Sequence, residues 1–359
     1  MFSCSFSAPK ETLPMGQWMM LVLSRRYSTS YNLSYETLIN AIIRPPRAKY
    51  NPDTLSPPLF EYKNKEYSRT DFTIPNKNNY LLQCSFIQPL DSFRPSKTMP
   101  VVIYLHGNSS SREEGMQYVP LLLKNNINAF IFDFAGSGLS EGEYISLGYN
   151  EKDDLEIVIN FLSNQPGVGR IGVWGRSMGA ATAMMYIYKD NRIKASIIDS
   201  AFGDFKVLAK QLCKKVKNVP EFLVDVVYYF VKGSIKDRCK LDLDTLRPID
   251  YAKLCQSPAM FIHAYLDDLI PLEHTVKMFE EYNGEKLLNV CEGDHHTKRS
   301  KDLMEKVAKF LVKHLWGSES EIANDSGVQF QNNKRNSHRF YNSDNINLKK
   351  SLTYNTNNK

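Results

Sequence analysis

The run Arg170-Ile171-Gly172-Val173-Trp174-Gly175-Arg176-Ser177-Met178-Gly179 constrains this chain more than any other. A β-branched and aromatic strand ends there in Gly-x-Ser-x-Gly, and the helix-prone Ala180-Ala181-Thr182-Ala183-Met184-Met185 follows at once. A strand-to-helix turn this tight strains its central residue, and glycines two positions to either side let strand and helix pass close together. Strain of this kind persists where it positions a reacting group, so Ser177 is the candidate nucleophile.

The five-residue pattern also arises by chance in loops, so the rest of the chain must supply an acid and then a histidine. Ala259-Met260-Phe261-Ile262-His263-Ala264 reads as a buried strand, and Tyr265-Leu266-Asp267-Asp268-Leu269-Ile270-Pro271 as a polar turn into a Pro-started helix. Asp267 then lies just past the carboxyl end of a strand, where open α/β sheets bind ligands. Its neighbour Asp268 competes for the role and is read as the cap of the following helix. Lys286 to Cys291 is a last strand that breaks at Gly293 into Asp294-His295-His296. His295 is the candidate base, because a loop can bring one ring nitrogen to the serine and turn the other toward the acid. His296 competes with it. A metal reading of this cluster lacks a third ligand, since neighbours along an extended loop point in different directions. Neither a metal nor an organic cofactor is expected.

The same chemistry needs donors for a developing oxyanion. Met99 to Leu105 is an apolar strand that ends in His106-Gly107-Asn108-Ser109-Ser110-Ser111. The backbone NH groups of Asn108 and of Met178, the residue after the nucleophile, are expected to form the hole. His106 is read as a structural residue that holds this loop by side-chain hydrogen bonds.

Alternation sets the fold class. Asp71 to Ile74 and Tyr80 to Ile87, joined by Pro75-Asn76-Lys77-Asn78-Asn79, read as a leading β-hairpin. Strands are then expected over 100–106, 128–133, 170–174 and 194–199, with helices over 113–124, 151–163 and 178–189 between them. This order implies an α/β fold, a mostly parallel sheet with helices on both faces. Residues 203–250 interrupt the alternation where a helical cap would overhang the nucleophile. Lys206, Lys210, Lys214, Lys215 and Lys217 in that stretch read first as a solvated helix face, and second as an attraction for an acidic substrate or a membrane surface. Asp133-Phe134-Ala135-Gly136-Ser137-Gly138 lacks both phosphate-loop and dinucleotide spacing and is read as tight-turn chemistry.

Composition and the chain ends bound the rest. An apolar content of 42% is that of a globular protein. Six cysteines without paired spacing point to reduced thiols and a cytoplasmic setting. A net charge of +6 without a basic stripe or reader motif gives no nucleic-acid partner. Residues 1–30 read as a disordered leader, with organelle import as the alternative suggested by Arg25-Arg26-Tyr27-Ser28. Residues 31–70 read as an extension with a short helix over Tyr35 to Ile43, and 71–316 as the main domain. From 317 to 359 the chain is a polar tail too poor in aliphatic residues to order itself. The oligomeric state is not legible.

Together, His106-Gly107-Asn108, Asp133-Phe134-x-Gly-x-Gly, Gly175-Arg176-Ser177-Met178-Gly179, the turn at Asp267 and the Gly293-Asp294-His295 loop resemble the α/β-hydrolase superfamily. The likeness is to its serine-peptidase-like branch, near the prolyl-oligopeptidase and serine-aminopeptidase families. Residues 43–52 and Gly142-Glu143-Tyr144-Ile145-Ser146-Leu147-Gly148 are similar to uncharacterised plant and protist members. The spacing from Asp267 to Ile270-Pro271 also follows the superfamily's habit. The chain departs from the pattern at His296, where relatives usually carry Asn, and at Ser300, where Pro is common. The resemblance implies an α/β-hydrolase fold and acyl transfer on Ser177, with a small-molecule, lipid or peptide acyl group as substrate. The other reading is a catalytically idle α/β-hydrolase that serves as a binding module.

Overall fold

Nine strands join in one sheet among residues 35–215 and 221–317, which the computed structural model describes. The expected leader and, but for Gly317, the expected tail lie outside the described residues. The strands are β1 (Leu59–Tyr62), β2 (Lys65–Pro75), β3 (Leu81–Pro89), β4 (Met99–Leu105), β5 (Asn128–Phe132), β6 (Val168–Arg176), β7 (Ile193–Asp199), β8 (Ala259–Ala264) and β9 (Lys286–Cys291). Their order is β1-β2-β3-β5-β4-β6-β7-β8-β9. Pairings up to β3 with β5 are antiparallel, and every pairing from β5 with β4 to β8 with β9 is parallel. The hairpin expected to lead the sheet is therefore present, with longer arms and an extra edge strand, β1.

Strands β4, β5 and β8 are buried along their whole length, as a sheet covered on both faces requires. The period of two then divides their side chains between two cores. Val101, Ile103 and Leu105 of β4 face one apolar layer, shared with α1 (Tyr35–Ile43), α3 (Glu151–Ser163) and α4 (Met178–Met184). Val102 and Tyr104 face the other, shared with α2 (Val119–Lys124) and α9 (Lys301–Trp316). Between β7 and β8 the chain forms α5 (Phe205–Lys214), α6 (Glu221–Cys239) and α7 (Ile249–Ala252), and α8 (Leu272–Glu281) follows β8.

Two expected helices differ in extent. The one placed at 113–124 is a 3₁₀ stretch from Arg112 to Gln117 and a separate α2 from Val119. Pro120 lacks the NH that would bond to the carbonyl four residues back, so the helix has to restart at its own first turn. The one placed at 178–189 ends at Met184, beyond which Tyr186 NH bonds to the Ala183 carbonyl in tighter, three-residue geometry. The turn after Asp133 is a turn: Leu139 NH donates to Asp133 Oδ2 and Gly136 NH to the Glu141 carbonyl.

Candidate active site

The strained serine is at the end of β6. Ser177 has φ 52° and ψ −116°, a conformation that costs a non-glycine residue on the order of 1–3 kcal/mol. The glycines around it are there for space: a Cβ at Gly175 would lie 2.3 Å from the Gly179 carbonyl oxygen, and one at Gly179 would lie 2.1 Å from that of Leu105. Strand and helix therefore touch backbone to backbone. The Ser177 NH is fixed by the Asp199 carbonyl of β7 at 2.8 Å.

The other two candidates reach the serine from the ends of β8 and β9. His295 Nε2 lies 3.1 Å from Ser177 Oγ, and His295 Nδ1 lies 2.6 Å from Asp267 Oδ2. Asp267 and His295 are both buried. The second Asp267 oxygen, Oδ1, accepts the NH groups of Leu269 at 3.0 Å and Ile270 at 2.7 Å, which leaves Oδ2 aimed at the imidazole. Burial alone would raise the Asp267 carboxyl. The hydrogen bond and charge of His295 and the Ile270 NH outweigh it and hold the group below the ordinary carboxylate range.

The competing residues are elsewhere. Asp268 does not cap α8, which starts at Leu272 with Pro271 in the cap position and no side-chain cap. The turn amides that a cap would take are already taken by Asp267. The Asp268 carbonyl receives Lys215 Nζ. His296 is exposed, its NH tied to Asp294 Oδ1 and its ring edge-on to that of His295. Among the described residues no three His, Cys, Asp or Glu side chains are grouped to hold a metal ion.

The loop after β4 lies against the elbow. A Cβ at Gly107 would sit 3.8 Å from that of Ser177, which puts Asn108 beside the serine. Met178 opens α4, so its NH belongs to a first helical turn whose donors have no partner within the helix. His106 holds the loop: its Nδ1 lies 2.7 Å from the Gly107 carbonyl, and its Nε2 accepts the Phe134 NH at 3.1 Å.

Sequence reasoning misses the groups that hold these loops together. Arg176, the variable residue of Gly-x-Ser-x-Gly, pairs with Glu114 at 3.3 Å and donates to the His295 carbonyl at 2.8 Å. Glu114 also accepts from Tyr104 OH at 2.7 Å and the Gly107 NH at 3.2 Å. Burial would raise the Glu114 carboxyl, yet Arg176, Ser110 and Tyr104 together lower it below its ordinary value. A second buried pair joins Arg299, four residues past His295, to both oxygens of Asp199 at 2.6 and 3.0 Å. Nothing in local spacing marks these ion pairs, because the two members of each come from distant segments. A third histidine, His263, stands behind the acid with Nε2 3.4 Å from Asp267 Oδ2 and 2.8 Å from the Ile270 carbonyl. Burial lowers its affinity for a proton.

Comparison with known proteins agrees with this architecture. Residues 96–237 match the family described as serine aminopeptidase, S33, a span that holds the Asn108 loop and Ser177. The chain is 28% identical over 257 residues to the Bacillus subtilis protein YqkD, across 69% of this chain and 80% of that one. It is 24% identical over 201 residues to the Danio rerio lysophosphatidylserine lipase ABHD12, across 53% of this chain and 49% of that one. Among solved structures it resembles the Pyrococcus furiosus esterase Pf2001, with a TM-score of 0.59 and 26% identity over 76% of this chain and 98% of that one.

Proposed function

We propose that this chain, which belongs to the α/β-hydrolase superfamily, is a serine hydrolase that cleaves an ester, thioester or amide bond through an acyl-enzyme on Ser177. The observation that carries the reading is the unbroken line from Ser177 Oγ through His295 to Asp267, with separations of 3.1 and 2.6 Å. In that arrangement the Ser177 oxygen attacks the substrate carbonyl carbon while its proton passes to His295 Nε2. Asp267 keeps the Nδ1 proton facing itself and stabilises the imidazolium. The negative charge on the carbonyl oxygen is taken by the NH groups of Asn108 and Met178, where one donor is typically worth about a hundredfold in rate or more. The imidazolium returns its proton to the leaving group as the bond to the acyl carbon breaks. Water, deprotonated by His295, then releases the acid and restores Ser177.

All three bond types pass through that intermediate, so the triad alone does not rank them. Relatives named as an esterase and a lipase put carboxylic esters first. The five described cysteines are unpaired, which supports a reducing, cytoplasmic setting for the reaction.

A fluorophosphonate probe tests the reading. The folded protein is expected to be captured covalently and its Ser177→Ala variant is not; a folded wild-type protein that resists the probe favours an idle binding module. Hydrolysis of p-nitrophenyl esters, acyl thioesters and aminoacyl amides in parallel then ranks the bond types.

A further inference from the structure

Helix α6 leaves a broad apolar face in solvent. Its inner side is used: Val231 and Ile235 are buried, and Tyr228 OH donates to Asp244 at 3.1 Å. On the opposite side Phe222, Leu223, Val226, Val227, Tyr229 and Phe230 are all exposed, with Phe222 at 67%, Tyr229 at 73% and Phe230 at 59%. At 3.6 residues per turn these six positions fall within an arc of roughly 160° that holds no charge over its first two and a half turns. Gly233 continues the same face, and a Cβ there would meet nothing within 4 Å. A helix that buries one side and shows six large apolar residues on the other presents a surface built for contact, because soluble monomers seldom leave such a patch open.

The charge around this face selects the partner. From Phe205 to Lys240 the sequence has nine Lys or Arg against three Asp or Glu, a net +6 that equals the net charge of the whole chain. Part of it is offset locally, since Lys206 pairs with Asp244, Lys210 with Asp225, Lys232 with Asp242 and Asp244, Lys236 with Asp242, and Arg238 with Glu36. Lys215 and Lys240 instead donate to the backbone carbonyls of Asp268 and Asp237, which leaves their charge in place. The Lys215 contact also brings the end of α5 to the loop that carries Asp267, where Tyr265 and Leu266 are exposed apolar residues in their own right.

We propose that the outer face of α6, with the lysines of α5 beside it, docks onto an anionic lipid bilayer. An apolar helix face rimmed by Lys and Arg is the pattern of a helix that lies in the membrane interface, where acyl chains take the aromatic residues and acidic headgroups take the cations. The other occupants of the face carry the wrong charge. A second copy would bring the same positive surface against itself. The segment before Tyr35, whose OH bonds to the Phe230 carbonyl at 2.6 Å, has three basic residues to one acidic. Among the described residues no helix is long and apolar enough to cross a membrane, so the contact is one of surface lying rather than spanning by those helices. The docking does not depend on the catalytic reading, and it sets the Asp267 loop near the source of lipid acyl esters.

Co-sedimentation of the full chain with unilamellar vesicles decides the matter. Vesicles with about a third phosphatidylserine are expected to bind the protein about tenfold or more tightly than pure phosphatidylcholine vesicles. That preference should shrink as salt rises from about 0.1 M to about 0.5 M, where the Debye length falls to a few ångströms. In the variant Phe222→Ser/Phe230→Ser, two exposed positions whose change leaves the fold intact by circular dichroism, binding is expected to drop about tenfold or more. Equal binding by this variant and the wild type overturns the proposal, as does equal binding to the two kinds of vesicle. A wild-type protein that ignores vesicles but self-associates, and becomes monomeric in the variant, overturns it in favour of a second copy.

Discussion

Arg176 ties the candidate nucleophile, base and oxyanion loop to one buried ion pair, and replacing it by Met separates what that pair does for folding from what it does for the proposed chemistry. Its side chain is less than a fifth exposed, and that of its partner, Glu114, is nearly wholly buried. Removing one member of such a pair strands the other, which typically costs about 3–5 kcal/mol. For a domain of this size the loss lowers Tm by on the order of 10 °C. The catalytic cost arises separately. The His295 carbonyl loses a 2.8 Å bond, and a misplacement of the imidazole by about 1 Å is worth about a hundredfold in rate. The double variant Arg176→Met/Glu114→Gln removes both charges, while the carboxamide oxygen introduced in place of Glu114 can still accept from Tyr104 and Gly107. Its Tm is therefore expected to recover most of the loss, while its fluorophosphonate capture rate stays about a hundredfold down with affinity little changed. Calorimetry and the time course of labelling measure the two effects on the same samples. A double variant that regains stability and rate together refutes the positioning role and reduces the pair to packing.

Three other outcomes follow from the geometry. Asp267→Asn is expected to lower turnover by about four orders of magnitude, whereas Asp268→Asn, whose side chain stands outside the line, leaves it nearly unchanged; kcat for both variants against one p-nitrophenyl ester is the measurement. His274 accepts the Gly203 NH at 3.1 Å on Nδ1 and meets Gln211 Oε1 at 2.8 Å through Nε2; burial, with a smaller contribution from the charge of Lys277, pushes it down to about 4. Between about 6.5 and about 4 the unfolded chain binds the proton more readily, so up to about 3 kcal/mol of stability, present above that window, is lost as pH falls through it, and His274→Gln flattens this slope in urea melts taken across the range. Gly179→Ala puts a methyl group 2.1 Å from the Leu105 carbonyl oxygen, so the variant is expected to yield little folded protein; a soluble variant with a normal melt would contradict the close strand-to-helix contact.

What the sequence reveals of this site, it reveals through the ends of strands. Ser177, Asp267 and His295 each follow a run of apolar residues that alternation marks as β6, β8 or β9, and a parallel sheet brings such ends to one edge. The short helix from Tyr35 to Ile43 is legible for the same reason, since its apolar positions recur at helical spacing. The break before α2 has its cause in Pro120, which cannot be an interior helical residue, although the apolar pattern around it reads as continuous. Edge strand β1 has no such signal: Leu59 to Tyr62 is four residues long and follows Pro57-Pro58, and it exists because β2 offers it a partner. Glu114, Arg176 and Arg299 are hidden for a stronger reason. The ion pairs Arg176–Glu114 and Arg299–Asp199 and the Arg176–His295 bond join residues 62 to 119 apart, and no local periodicity records who meets whom across such distances.

Those long-range pairs also account for how the strain at Ser177 is held. A serine at φ 52° would relax if its NH were free to turn, but the Asp199 carbonyl fixes that NH, and Asp199 is in turn gripped through its carboxylate by Arg299. Arg299 lies in the connection that leads from His295 to α9, and Arg176 holds the carbonyl of His295 from the other side. The His295 loop is thus anchored at two points, to Arg176 beside Ser177 and to Asp199 of the neighbouring β7, so the separation between imidazole and hydroxyl is set by these buried contacts rather than by loop flexibility. Two consequences follow for any variant of this region. Weakening either pair lets the elbow and the base loop move independently, and the loss of rate then exceeds what the loss of stability accounts for.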